Sequence, residues 1–145
     1  MGDAYERLVG AWALRDWRTD YSDGRAATRP FGLSPEGLLT YTACGHMLAS
    51  IQLPTRTLLS AESARHAPAD QKVAAFDGFL SYGGTFEVAG ATLTHRVTIA
   101  HNPNLIGTTQ VRQMRFADRS LTLMADDRLP GTDITRHHAL TWERL

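Results

Sequence analysis

The feature that most constrains this chain is the spacing of its turns. Turn-forming residues cluster at Asp23-Gly24, through Phe31-Gly32 to Glu36-Gly37, and at Ala43-Cys44-Gly45, Ala89-Gly90, Asn102-Pro103-Asn104, Asp118-Arg119-Ser120 and Pro130-Gly131. Most of the stretches between them are one strand long, with apolar residues at every second position. A period of two sends alternate side chains to opposite faces of a sheet, so each stretch has one face to bury.

Leu8, Gly10, Trp12 and Leu14 share one phase after a short turn. Leu38 to Thr42 and His46 to Leu53 form a hairpin around the tight connection, and Pro54 to Pro68 is irregular. Ala69 to Leu80 reads as the one helix, with Pro68 suited to its start, Asp70 favouring its positive end, and Val73, Phe76 and Leu80 on one face. Tyr82, Gly84, Phe86 and Val88 then resume alternation. His95, Val97, Ile99 and His101 share a face, as do Gln110, Arg112, Met114 and Phe116. Leu121 and Leu123 follow, Asp126 to Asp133 reads as a polar loop, and His138, Leu140 and Trp142 give the last strand its inward phase. About eight short strands and one helix imply an all-β sandwich or barrel. Residues 1–145 read as one domain, without repeat or linker.

Charge narrows the partners. Fifteen Lys and Arg balance fifteen Asp and Glu, and Lys72 is the only lysine, so no net field draws nucleic acid or an anionic membrane. No apolar run is long enough to cross a bilayer as a helix. Met1 to Arg7 lacks the pattern of a secretory signal, so a cytoplasmic protein, monomer or homodimer, is expected. Cys44 is the only cysteine, read as lying in a turn with no histidine to activate it.

Gly10-Ala11-Trp12 resembles the Gly-X-Trp motif of lipocalins, in which the tryptophan plugs the closed end of the barrel under a basic residue. Arg144 is the matching position here. Longer stretches resemble the bacterial and fungal lipocalin-like domain family. They are Leu8 to Trp12, Pro30 to Gly32 with Gly37 to Thr42, Gly45-His46-Met47, Phe76 to Tyr82 with Gly84, Thr94 to Asn104, Gly107 with Gln110 and Arg112, and Leu140 to Arg144. The resemblance implies an eight-stranded antiparallel lipocalin-like barrel with one short helix and a ligand cavity. It also implies that some relatives act as cofactor-free cyclases or isomerases of natural-product pathways. The chain departs from the family pattern at His46, where an aromatic residue is common, at Arg96, where a second histidine is common, and at Leu105, where many members carry tryptophan.

Polar residues in the inward phase are the informative ones, because burying them without partners is costly. His95 is the leading acid/base candidate, against the alternative of a buried histidine satisfied by its neighbours. Arg112 is placed to hold a carboxylate or a developing oxyanion, or else to form a structural ion pair. Tyr82 and His46 are further candidates for proton transfer, with core packing and a solvated rim as their respective alternatives. Tyr41, Phe86, Val97, Gln110, Met114, His138 and Trp142 are expected to contact the ligand. A metal site from His46, His95 and His138 has no local ligand motif behind it, and neither metal nor cofactor is expected.

These residues suit a cofactor-free cyclase, isomerase or dehydratase acting on a polyketide-like or terpenoid-like intermediate of a secondary-metabolite pathway. The alternative is a non-catalytic carrier of a small hydrophobic molecule, in which the same polar residues only orient the ligand. A barrel with a filled core serving subunit interaction would need an almost wholly apolar interior, which this pattern does not give.

Overall fold

The computed structural model describes residues 2–145. Eight antiparallel strands close on themselves in chain order: β1 (Gly10–Tyr21), β2 (Glu36–Tyr41), β3 (His46–Gln52), β4 (Phe79–Ala89), β5 (Thr92–Ala100), β6 (Thr109–Ala117), β7 (Ser120–Arg128) and β8 (Thr135–Arg144). Closure removes the exposed strand edges that an open sheet must protect. Two helices accompany the barrel, α1 (Asp3–Leu8) and α2 (Ala69–Asp77), with single 3-10 turns at Ala64–His66 and Pro103–Leu105. Leu14, Leu39, Leu93, Leu121 and Leu123 fill the interior with Phe86, Met114 and Trp142. Each such side chain withdrawn from water contributes about 1.5–3 kcal/mol.

One end of the barrel is plugged. The Trp12 indole N–H donates to the Leu8 carbonyl at 2.9 Å. The Arg144 guanidinium lies 4.3 Å above the Trp12 ring and donates to the carbonyls of Val9 and Arg7. Gly10 permits this cover. Its φ is +135°, and a Cβ there would stand 2.6 Å from Arg144 Nη1. The end expected from Gly10-Ala11-Trp12 and Arg144 is therefore closed by those residues, with α1 tucked against it.

Two bulges change which residues face inward. In β1 the register with β8 steps from Leu14↔Trp142 to Asp16↔Thr141, so Arg15 is the extra residue and Trp17 and Thr19 take the inward phase. In β5 the register with β4 steps from Gly83↔Ile99 to Gly84↔Val97, leaving Thr98 extra. Ile99, expected to share the inward face of His95 and Val97, is consequently turned out and 65% exposed. The chains approach so closely at this step that a Cβ on Gly84 would collide with the Arg96 carbonyl oxygen.

The helix ends three residues earlier than its apolar spacing suggests. Gly78 closes it, and Leu80 is already in β4, paired with Ile51. Val73 and Phe76 do not enter the core; Phe76 stacks on His101 with ring centroids 3.9 Å apart. α2 lies in the β3–β4 connection, at the end opposite the plug. Likewise Asp126 and Asp127, expected in a loop, belong to β7, which continues to Arg128.

Candidate functional site

The interior between the plug and the open end holds a cavity of about 450 Å3. Its apolar wall includes Trp17, Leu39, Ile51, Leu80, Leu123 and Leu140; its polar groups include Tyr82, His95, Gln110, Arg112 and His138. Small residues make the room: Ala49 opposite Tyr82, and Ala125 opposite His138.

His95 is the centre of one polar cluster. It is 1% exposed, on β5 opposite Phe86 and Gln110. Nε2 lies 2.8 Å from the Tyr41 hydroxyl and Nδ1 lies 2.6 Å from the Tyr82 hydroxyl. Burial, with the nearby Arg112 charge as the second cause, pushes the imidazole down to about 3, so it is neutral at physiological pH. Burial also raises both tyrosines, and Arg112 opposes the rise at each. Arg112 donates to the Val111 carbonyl at 3.0 Å. It joins none of the ion pairs among the described residues.

A second polar cluster stands nearer the open end. The Trp17 indole N–H donates to His138 Nδ1 at 3.3 Å, and Thr19 Oγ1 lies 3.0 Å from the same nitrogen. An indole can only donate, so Nδ1 accepts and the proton sits on Nε2, which donates to Asp127 Oδ1 at 3.0 Å. Arg136 holds both Asp127 oxygens at 2.7 Å. Desolvation works to raise the Asp127 carboxyl, but the hydrogen bonds from Arg136 and His138 and their charges bring it below its ordinary value.

The structure brings Tyr82, His95, Arg112, Gln110, His138 and Trp142 onto the cavity wall. Tyr41 stands behind His95, and Phe86, Val97 and Met114 are buried beside the cavity rather than on it. His46 does not join them. It shares the phase of exposed Leu48, which is the outer face of β3, while Met47 points in. The metal triad of His46, His95 and His138 is therefore not assembled, and no group of three or more potential ligand side chains is found among the described residues. His46 instead lies beside Cys44, with Nδ1 3.6 Å from Sγ. Contrary to expectation the thiol does have a histidine neighbour, and Thr42 and His46 together hold it below its ordinary value.

Sequence reasoning missed Trp17, Asp127 and Arg136. Asp127 was legible, since Leu121, Leu123, Ala125 and Asp127 keep one phase. Trp17 was not, because it reaches the cavity only through the bulge at Arg15.

A closed eight-stranded barrel with a plugged end and an internal cavity defines a lipocalin-type architecture. The chain matches the lipocalin-like domain family over residues 9–145 and belongs to that family. Among solved structures it is similar to a lipocalin-like protein from Bacteroides uniformis ATCC 8492, with 13% identity, 96% of this chain and 99% of that chain covered, and a TM-score of 0.47. No curated protein matches it. None of the helices among the described residues is long and apolar enough to cross a membrane.

Proposed function

We propose that the barrel binds a small, largely apolar organic molecule and promotes a cofactor-free isomerisation, cyclisation or dehydration on it. The observation that carries this reading is the Tyr41–His95–Tyr82 cluster beside Arg112, opening on an apolar cavity. An apolar wall orients the molecule, which lowers the entropic part of the barrier. Arg112 and Tyr82 would stabilise charge that develops on an oxygen of the substrate. With its imidazole neutral and both nitrogens occupied, His95 acts through Tyr82 rather than on the substrate itself. His138, its Nε2–H held by the Asp127 carboxylate, offers the Nδ1 lone pair as proton acceptor once Trp17 or Thr19 yields it.

The same two-sided occupation of His95 favours a second reading, a carrier in which these groups only orient the ligand. Proton exchange separates the two. With 2-acetylnaphthalene as probe, deuterium uptake into its methyl group in D2O, followed by proton NMR, should run faster with the protein than in buffer. The acceleration should fall about 100-fold in Arg112→Ala. Saturable binding with no acceleration would assign the barrel to the carrier class.

A further inference from the structure

We infer that Tyr82 meets the bound molecule as a hydrogen-bond donor, held in that sense by a one-way chain from Tyr41 through His95, so that the molecule presents an acceptor oxygen there: a ketone, an enolate or a carboxylate. The inference rests on the cavity reading above and names the ligand chemistry that this wall takes.

The direction follows from the one member that does not line the cavity. Tyr41 is 2% exposed, and its hydroxyl has one hydrogen-bond partner among the described residues, His95 Nε2. Its ring is packed against Phe86 in an edge-on contact, with centroids 4.9 Å apart. If the hydroxyl accepted a proton from Nε2, its own O–H would have no acceptor, and a buried donor left unmade costs about 1–3 kcal/mol. If it donates, the one proton left without a protein acceptor is that of Tyr82, which lines the cavity. Tyr41 therefore donates, and Nε2 is the lone-pair nitrogen. The neutral ring then carries its single proton on Nδ1, which donates to Tyr82 Oη across 2.6 Å. The Tyr82 oxygen is filled from behind, and its own proton is free for the cavity that Tyr82 lines. Tyr41 and His95 are positioning residues in this arrangement; Tyr82 is the contact.

Two further observations favour an acceptor. Arg112 lines the same cavity without an ion-pair partner among the described residues, and a guanidinium only donates. The one buried side-chain polar atom with no partner among the described residues is also a donor, Trp142 Nε1, on a ring that forms part of the cavity wall. β8 carries Trp142 and β4 carries Tyr82, four strands apart in a closed barrel of eight, so donors stand on opposite walls.

The tautomer is directly measurable. Long-range nitrogen–proton correlation spectra of the whole protein at pH 7 should show His95 protonated at Nδ1, and protonation at Nε2 would overturn the inference. In Tyr41→Phe the two ring nitrogens should move towards the averaged positions of an unconstrained imidazole. Unchanged resonances would show that Tyr41 packs the ring without directing it, which also overturns the chain.

Binding supplies the second arm. 2-Acetylnaphthalene should bind about tenfold tighter than 2-ethylnaphthalene, which has the same ring system and no oxygen, a difference of about 1.4 kcal/mol. Tyr82→Phe should abolish that preference while leaving the hydrocarbon affinity unchanged. Equal affinities in the native protein would overturn the inference and leave the cavity reading intact. Failure of both probes to bind would overturn both. Tight ketone binding without proton exchange would remove only the catalytic part of the proposed function.

Discussion

His95 ties the site to the stability of the chain. Its ordinary value is 6.5, and burial, aided by the Arg112 charge, holds it at about 3 in the fold. As pH falls, the unfolded chain takes up this proton first. The group's contribution is therefore whole above pH 6.5 and erodes between 6.5 and 3, by up to about 1.4 kcal/mol per pH unit. In urea unfolding at pH 7, 5.5 and 4.5, the stability gap between the native protein and His95→Gln should narrow as pH falls. Parallel pH profiles would mean that the imidazole is not held neutral. At this scale the sequence was informative about position and less so about role. Alternation placed His95, Tyr82 and Arg112 inside, because each follows an unbroken run of two. It did not show that two tyrosines occupy both nitrogens of His95, since Tyr41 lies 54 residues away in the chain.

At the scale of the element, the strands and their order were readable and the bulges were not. Turn residues mark where a strand stops. Nothing in the types of Arg15 or Thr98 marks an extra residue, and one extra residue reverses every side chain beyond it. That is why Trp17 turned in and Ile99 turned out. The end of α2 was ambiguous for another reason: Leu80 fits both the spacing of the helix before it and the alternation of the strand after it. His46 was misplaced because Leu48, which shares its phase on the outer face of β3, is apolar although it is exposed. The bulge in β5 has a measurable requirement. Gly84→Ala should cost about 2–4 kcal/mol in urea unfolding, since the methyl meets backbone that cannot move aside without breaking the ladder. Gly90→Ala, at φ +62° in an open turn, should cost about 1 kcal/mol. Equal costs would mean that the close approach at Gly84 is not rigid.

Across the whole molecule, the plug and the open end divide the work. Arg144 seals the plug through the Val9 and Arg7 carbonyls and the face of Trp12. Arg144→Ala should lower stability by about 1–3 kcal/mol. It should leave 2-ethylnaphthalene affinity within about twofold, because none of those contacts lies on the cavity wall. A tenfold loss of affinity would show instead that the plug shapes the cavity.

Closure also sets a timetable. The seam of the barrel joins β1 to β8, so the contacts that make it a closed vessel link segments more than a hundred residues apart, from Trp12↔Arg144 to Tyr21↔Arg136. Neighbouring hairpins can form quickly and locally, but the seam must bear the loop-closure entropy of nearly everything between. Until it zips, the two outermost strands remain sticky edges and the space that becomes the cavity is only the concave side of an open sheet. Folding of this chain should be slow for its size, in the millisecond-to-second range typical of non-local β topologies. A molecule that binds only the closed form would then act as a latch on the seam, slowing its reopening as well as occupying the space behind it.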